Sequence, residues 1–194
     1  MNVETMDGTD GPYLTGQLLI AMPGMRDPRF ARSVIYMCAH NEDGAMGLVV
    51  NRLMSSITLP DLLTQLGVAQ TVPDDAIRIH FGGPVEAARG FVLHSTDYAA
   101  GDTLRVAEEF GLTASLDILR AIAGGNGPRQ RILALGYAGW GPGQLDMEIH
   151  ANGWLSAPAD EALLFDDRLD DKWERAIRKI GVDFSQLSTD AGHA

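Results

Sequence analysis

The sequence has little cysteine, little lysine and no long apolar run. Cys38 is the single cysteine in 194 residues, so no intramolecular disulfide can form and a reducing, cytoplasmic setting is expected. The first apolar run, Leu18-Leu19-Ile20-Ala21-Met22, stops at Pro23 and is too short to span a bilayer. No positively charged flank opens the chain in the manner of a secretory leader, and no membrane role is expected. Acids outnumber bases by 26 to 15, a net charge of -11, and only Lys172 and Lys179 are lysines. Such a field repels phosphates, which disfavours direct binding of nucleic acid. A G-x-S-x-G elbow, H-E-x-x-H, C-x-x-C, an EF-hand loop and a P-loop are all missing, so the hydrolase, zincin and dithiol chemistries they carry are not expected.

What is present is an ordinary globular composition, 45% hydrophobic and 21% charged, in a length suited to one domain. No internal repeat or linker divides it. Residues 1–13 and 188–194 read as loose tails around a single domain over 14–187. Glycine is enriched, 22 of 194 residues, or about 11% against a typical ~7%.

Along the chain, strand-like and helix-like patterns alternate. Leu18–Met22, Ser33–Ala39 and Gly47–Asn51 read as strands. Thr58 caps a helix carrying Leu62, Leu63 and Leu66 that stops at Gly67, with Asp61 completing a capping box. Ile77, Ile79 and Phe81 alternate with polar residues as in a half-buried strand, and Gly90–His94, Leu104–Val106 and Arg131–Gly136 are further strands. Leu112, Leu116, Leu119, Ile122 and Ala123 share a helical face beginning near Thr113 and ending at Gly124-Gly125. Leu145 and Ile149 mark a short helix stopped at Asn152-Gly153, and Trp173, Ala176, Ile177 and Ile180 mark a last one ending at Gly181. This order predicts an α+β, or mixed α/β, single domain with a largely antiparallel or mixed β-sheet or barrel flanked by helices.

The candidate chemistry is sparse. Gly136–Gly143 follows a strand and precedes a helix, so its backbone could cradle a phosphate. It lacks the P-loop ending and the dinucleotide spacing, and reads first as a tight turn around Trp140. Asp146, Glu148 and His150 would align only on a strand; on the expected helix Glu148 turns away from the other two, so no metal is expected. Cys38 and His40 lie two apart on a strand, on one face, which makes Cys38 a redox candidate beside its default as a small buried hydrophobe. His80 and His94 match no ligand spacing. Arg26, Arg29 and Arg32 read as a solvated turn, with anion binding as the alternative.

Several words of the sequence resemble the YqgE/AlgH family of bacterial proteins. They are Leu18–Pro23, Asp27-Pro28-x-Phe30, Ser33–Tyr36, His40-Asn41, Gly44–Arg52, Gly82–Val85, Arg89–His94, Gly136–Leu145 with one mismatch, Glu148-Ile149 and Asn152-x-Trp154. Ala39, Leu53 and Ala88 depart from the pattern, standing where an acid, a proline and an acid are common. The resemblance implies a single cytoplasmic α/β domain without an established activity, and a proposed role in transcriptional regulation. It brings out His40, Asn41, Asn51, Arg52, Gly82, Gly83, Pro84, Arg89, His94, Gly139, Trp140, Gly141, Gly143 and Gln144 as a binding or functional surface. The leading expectation is a regulatory or interaction protein acting through a protein partner or small ligand, without a cofactor. The alternatives are a small-molecule or anion-binding protein, conceivably an enzyme, with Arg89, His94 and the Gly139–Gln144 turn in one cleft, or a redox sensor. The binding reading requires His40, Asn51, Arg89, His94 and Gln144 to converge.

Overall fold

A computed structural model describes residues 13–73 and 77–183. The expected tails, residues 1–13 and 188–194, thus lie outside the described residues apart from Tyr13. Nine strands and five helices are present among the described residues. In chain order these are β1 (Gln17–Ala21), β2 (Val34–Asn41), β3 (Gly44–Val49), α1 (Leu59–Gln65), β4 (Ile79–Phe81), β5 (Val85–His94), β6 (Leu104–Val106), β7 (Phe110–Thr113), α2 (Leu116–Ala123), β8 (Arg131–Trp140), α3 (Gln144–His150), β9 (Trp154–Pro158), α4 (Glu161–Phe165) and α5 (Lys172–Lys179). The strands form one sheet in the order β6-β7-β5-β8-β3-β2-β1-β9, with β4 also paired to β8. The β4–β8 pair is parallel and the others are antiparallel.

The sheet curls into a half-barrel. β2 and β7 are four strand spacings apart, about 19 Å if the sheet were flat, yet the rings of Tyr36 and Phe110 touch edge to face with centroids 5.8 Å apart. At the seam, Gly16 just before β1 lies so close to Ala107 just after β6 that a Cβ there would fall 2.4 Å from the alanine methyl. Alternation then assigns the two sheet faces. Leu18, Ile20, Val34, Tyr36 and Cys38 point into the concave core with Phe91, Leu93 and Ile132, capped by Leu163 and Leu164 of α4 and Trp173 and Ile177 of α5. Leu19, Ala21, Ile35 and Met37 face the other way, onto Trp140, Leu145 and Trp154. A third cluster packs α1 and α2 against β4, β5 and β8 through Leu59, Leu63, Ile118, Ile122, Ile79 and Leu133. Strands buried on both faces are why the apolar runs are continuous.

Several expected boundaries move. β7 occupies Phe110–Thr113, so Leu112 belongs to the sheet and α2 begins only at Leu116. A short, fully buried run satisfies helical and strand periodicity alike, and pairing with β5 decides it. β8 continues through Gly136 to Trp140, because Ala138, Gly139 and Trp140 pair with Gly47, Met46 and Ala45; the turn shrinks to Gly141–Gly143. β9 and α4 have no counterpart in the sequence reading. The capping box of α1 forms as expected, Thr58 Oγ1 accepting from Asp61 N and the Asp61 carboxylate from Thr58 N.

One crossing organises the sheet. β4 and β5 lie on opposite edges of β8, so the Gly82-Gly83-Pro84 link must pass over β8 at Gly136-Tyr137. A Cβ at Gly82 would sit 2.2 Å from the Gly136 carbonyl oxygen, and one at Gly83 2.0 Å from the Tyr137 carbonyl carbon. Gly136 itself has φ +74° and would bring a Cβ within 2.3 Å of Gly83 O. The link is also hydrogen-bonded from both sides, Gly82 N donating to Leu135 O and Gly82 O accepting from Val49 N. Gly83→Ala should therefore cost more than about 3 kcal/mol in urea unfolding, whereas Gly24→Ala, with nothing within 4 Å, should change it by no more than about 0.5 kcal/mol.

Candidate functional site

Where α4 and α5 no longer cover the concave face, the half-barrel opens into a cleft of about 700 Å³. Its wall takes residues from six neighbouring strands in sheet order: Leu104 of β6, Leu112 of β7, Arg89 and Phe91 of β5, Tyr137 and Gly139 of β8, Met46 of β3, and Ala39 and Asn41 of β2. Asp43 and Asp102 add carboxylates. Leu104 is 53% exposed, unusual for leucine in a strand. The Arg89 guanidinium lies 5.1 Å from the Phe91 ring centroid and 3.4 Å from Glu86. The volume falls within the range of small-molecule clefts, and the lining is largely apolar with few polar groups.

Of the residues singled out from sequence, Asn41, Arg89, Gly139 and Trp140 line this cleft. His40, Asn51, His94 and Gln144 do not, so of the five residues required to converge only Arg89 is at this cleft. The reason is that most of the conspicuous polar side chains serve the backbone. Asn51 ends the pairing of β2 and β3, its Oδ1 accepting from Val34 N and its Nδ2 donating to Arg32 O, each at 2.9 Å. Arg52 donates to the carbonyls of Pro28, Arg29 and Ala31 and holds that turn closed; burial lowers its pKa. Asn41 Oδ1 accepts from Asp43 N in the β2–β3 turn. Gln144 Oε1 accepts from Gly141 N, which occupies one amide of the glycine turn, and its Nε2 donates to Glu148.

Glu148 has a definite task. One carboxylate oxygen accepts the indole N–H of both Trp140 (2.9 Å) and Trp154 (2.8 Å). Phe30 packs beside the two indoles. The carboxylate thus joins β8, α3 and β9. Gly82, Gly83 and Pro84 form the crossing link. Of the three arginines in the early turn, Arg29 pairs with Asp27 at 2.7 Å and holds its carboxyl below the usual range. Arg32 pairs with Glu174 at 2.8 Å while stacking on Trp173. No group of three or more metal-ligating side chains is placed to hold an ion among the described residues.

The redox reading of Cys38 is contradicted. The thiol is buried in the apolar concave core, and burial pushes its pKa up to about 12, the reverse of an activated thiolate. His40 is not on its face. A bulge between Met37 and Ala39 shifts the register and turns His40 to the α3 side. There Nδ1 accepts from Leu14 N, which leaves the ring proton on Nε2, 3.9 Å from Asp146 Oδ1.

The other buried histidines are neutral structural groups. His94 joins Ser95 O and Thr113 Oγ1, both at 2.8 Å, and Thr113 continues the chain to Thr103. Burial lowers the pKa of His94 and takes that of His80 to about 4. Lys172 is fully buried, donating to Leu164 O and Asp166 O, and burial lowers its pKa to about 8.

The cleft residues missed from sequence include Met46, Val85, Phe91, Leu104, Leu112 and Tyr137, with Asp43 and Asp102. Each is unremarkable locally, and only the curl of the sheet gathers them.

The chain is thus a single-domain half-barrel with an open, largely apolar mouth. The chain belongs to the AlgH-like family, whose family model matches residues 18–185. It is 60% identical over 190 residues to a UPF0301 protein of Afipia carboxidovorans, covering 94% of this chain and 90% of the relative. It is 54% identical to one of Rhodospirillum rubrum, covering 94% and 95%. The solution structure of AlgH from Pseudomonas aeruginosa superimposes with a TM-score of 0.77 at 44% identity, over 97% of this chain and 100% of that one.

Two outcomes follow for the buried groups. Dithionitrobenzoate should leave Cys38 unmodified in the native protein and react stoichiometrically in denaturant. For His80 the folded pKa is depressed, so its contribution is complete above the unfolded value near 6.5 and is lost as pH falls toward about 4. Unfolding free energy should fall by up to about 3 kcal/mol across that window, and His80→Gln should flatten the decline.

Proposed function

We propose that this chain is a regulatory binding protein of the cytoplasm that works by holding a ligand or partner segment in the mouth of its half-barrel. Any effect on transcription passes through that partner and not through DNA. The observation that carries this reading is the cleft itself, about 700 Å³, built by one face of six adjacent strands and left uncovered by the helices that close the rest of the concave side. An exposed Leu104 beside half-buried Met46 and Tyr137 is a surface that water solvates poorly and that a bound apolar body would cover. The net charge of -11 supports an indirect route to any nucleic acid. The single cysteine supports a reducing compartment, and no helix among the described residues is long and apolar enough to cross a membrane.

Binding is favoured over catalysis because the buried groups whose pKa values burial displaces, His80, His94, Cys38 and Lys172 among them, are consumed by the fold and do not line the cleft. The test is titration with the neutral fluorophore N-phenyl-1-naphthylamine. Saturable enhancement at one site is expected, weakened about tenfold, or about 1.4 kcal/mol, by Leu104→Asp. Non-saturable enhancement, or identical titrations of the two proteins, would refute the reading.

A further inference from the structure

We infer that the unpaired edge of β5 takes up an extended peptide segment of alternating aliphatic and basic residues as an added strand. The inference rests on the cleft being a binding surface and specifies what enters it. β8 flanks β5 on one side, but on the other β7 pairs only with Val92, Leu93 and His94. β7 ends at Thr113, and the chain turns away at Ala114 into α2. Ala88–Phe91 therefore have no strand beside them on that side among the described residues. An open row of backbone donors and acceptors is a template for one more strand.

Both faces of this edge are hollow. Arg89 and Phe91 face the cleft, while Ala88, Gly90 and Val92 face a second cavity of about 180 Å³ behind it. The two hollows meet at Ala114, the residue where β7 gives way. Because side chains alternate along a strand, a segment laid against Ala88–Phe91 would send successive side chains into one hollow and then the other. Four residues at strand rise make a slot about 13 Å long. Its first two residues, Ala88 and Arg89, lie within the bulge between Val85 and Gly90, and β7 closes the other end.

The walls determine the side chains. The rear cavity is lined by Leu62 of α1, Leu66 at its C-terminal cap, and Leu116 and Leu119 of α2, and its size suits one branched aliphatic group. At its rim the Ser115 hydroxyl is buried without a hydrogen-bond partner and can meet the incoming backbone. The front cleft has an apolar floor of Phe91, Leu112 and Tyr137 with the carboxylates of Asp43 and Asp102. Arg89 is the basic group there and already lies beside Glu86. A lysine or arginine stem would lie along that floor with its charged head at the carboxylates. The overall charge of -11 draws such a segment in.

A capped octapeptide of alternating leucine and lysine, labelled for fluorescence anisotropy, tests this at low ionic strength. It should bind saturably and displace N-phenyl-1-naphthylamine. A leucine–glutamate version and a version N-methylated at every residue should each bind at least tenfold more weakly. The Asp43→Lys, Asp102→Lys double variant, shown folded by circular dichroism, should reverse the preference between the lysine and glutamate peptides. Equal binding of the N-methylated peptide would overturn strand addition, and equal binding of the glutamate peptide would overturn the charge assignment. If the naphthylamine fills the cleft and the leucine–lysine peptide does not bind, the peptide inference fails while the cleft reading stands. If neither binds, both fail.

Discussion

Everything in this sheet depends on one close passage of backbone over backbone. β8 is the strand on which the two halves of the sheet meet. One of its edges serves β5; the other is shared, β4 taking the first half and β3 the second. Chain continuity then obliges the link from β4 to β5 to climb over β8. A side chain at Gly82, Gly83 or Gly136 would occupy space already filled by main-chain atoms. Since peptide groups cannot yield as a flexible side chain can, the requirement for glycine is absolute at those points. The glycine excess is thus in part the mark of a crossing, and the same strand that is crossed supplies Tyr137 and Gly139 to the cleft.

The fold was legible where apolar periodicity and helix punctuation agreed. Thr58 and Asp61 marked α1, Trp173 to Ile180 marked α5, and the apolar runs marked β1, β2 and the end of β5. What escaped was set by partners distant in the chain. The second half of β8 reads as a turn by composition and becomes a strand because β3 pairs with it. Leu112 and Thr113 read as the start of a helix and belong to a strand because β5 is there. β9 is five residues of mixed character, Trp-Leu-Ser-Ala-Pro, held by pairing with β1 along its whole length.

The site was far less legible, and for a related reason. Polar residues within apolar runs draw attention, yet Asn51, Arg52, His94 and Gln144 each bond to at least one peptide group, because buried main chain must find partners. Their conspicuousness reflects backbone satisfaction, and Glu148 shows the same economy in accepting two indole protons with one oxygen. The cleft instead consists of ordinary residues from Ala39 to Trp140, whose grouping depends on curvature. Local spacing carries no record of curvature. The residues that bridge the two views are Asn41 and Arg89, polar in sequence and present at the cleft.

The seam of the half-barrel deserves a mechanical reading. Gly16 and Ala107 touch where the two ends of the curl come together, but no strand pairing joins β6 to β1 or β9. The closure is a van der Waals contact with no hydrogen-bonded ladder across it. A ladder fixes spacing at one value, whereas here the spacing is set by packing, the ring of Tyr36 against Phe110 included. Bending about the continuous side of the sheet therefore changes the separation of β6 from β2 without breaking any pair. Leu104 and Asn41 stand on those two strands, so the width of the mouth is set by side-chain packing across the seam and not by a strand ladder.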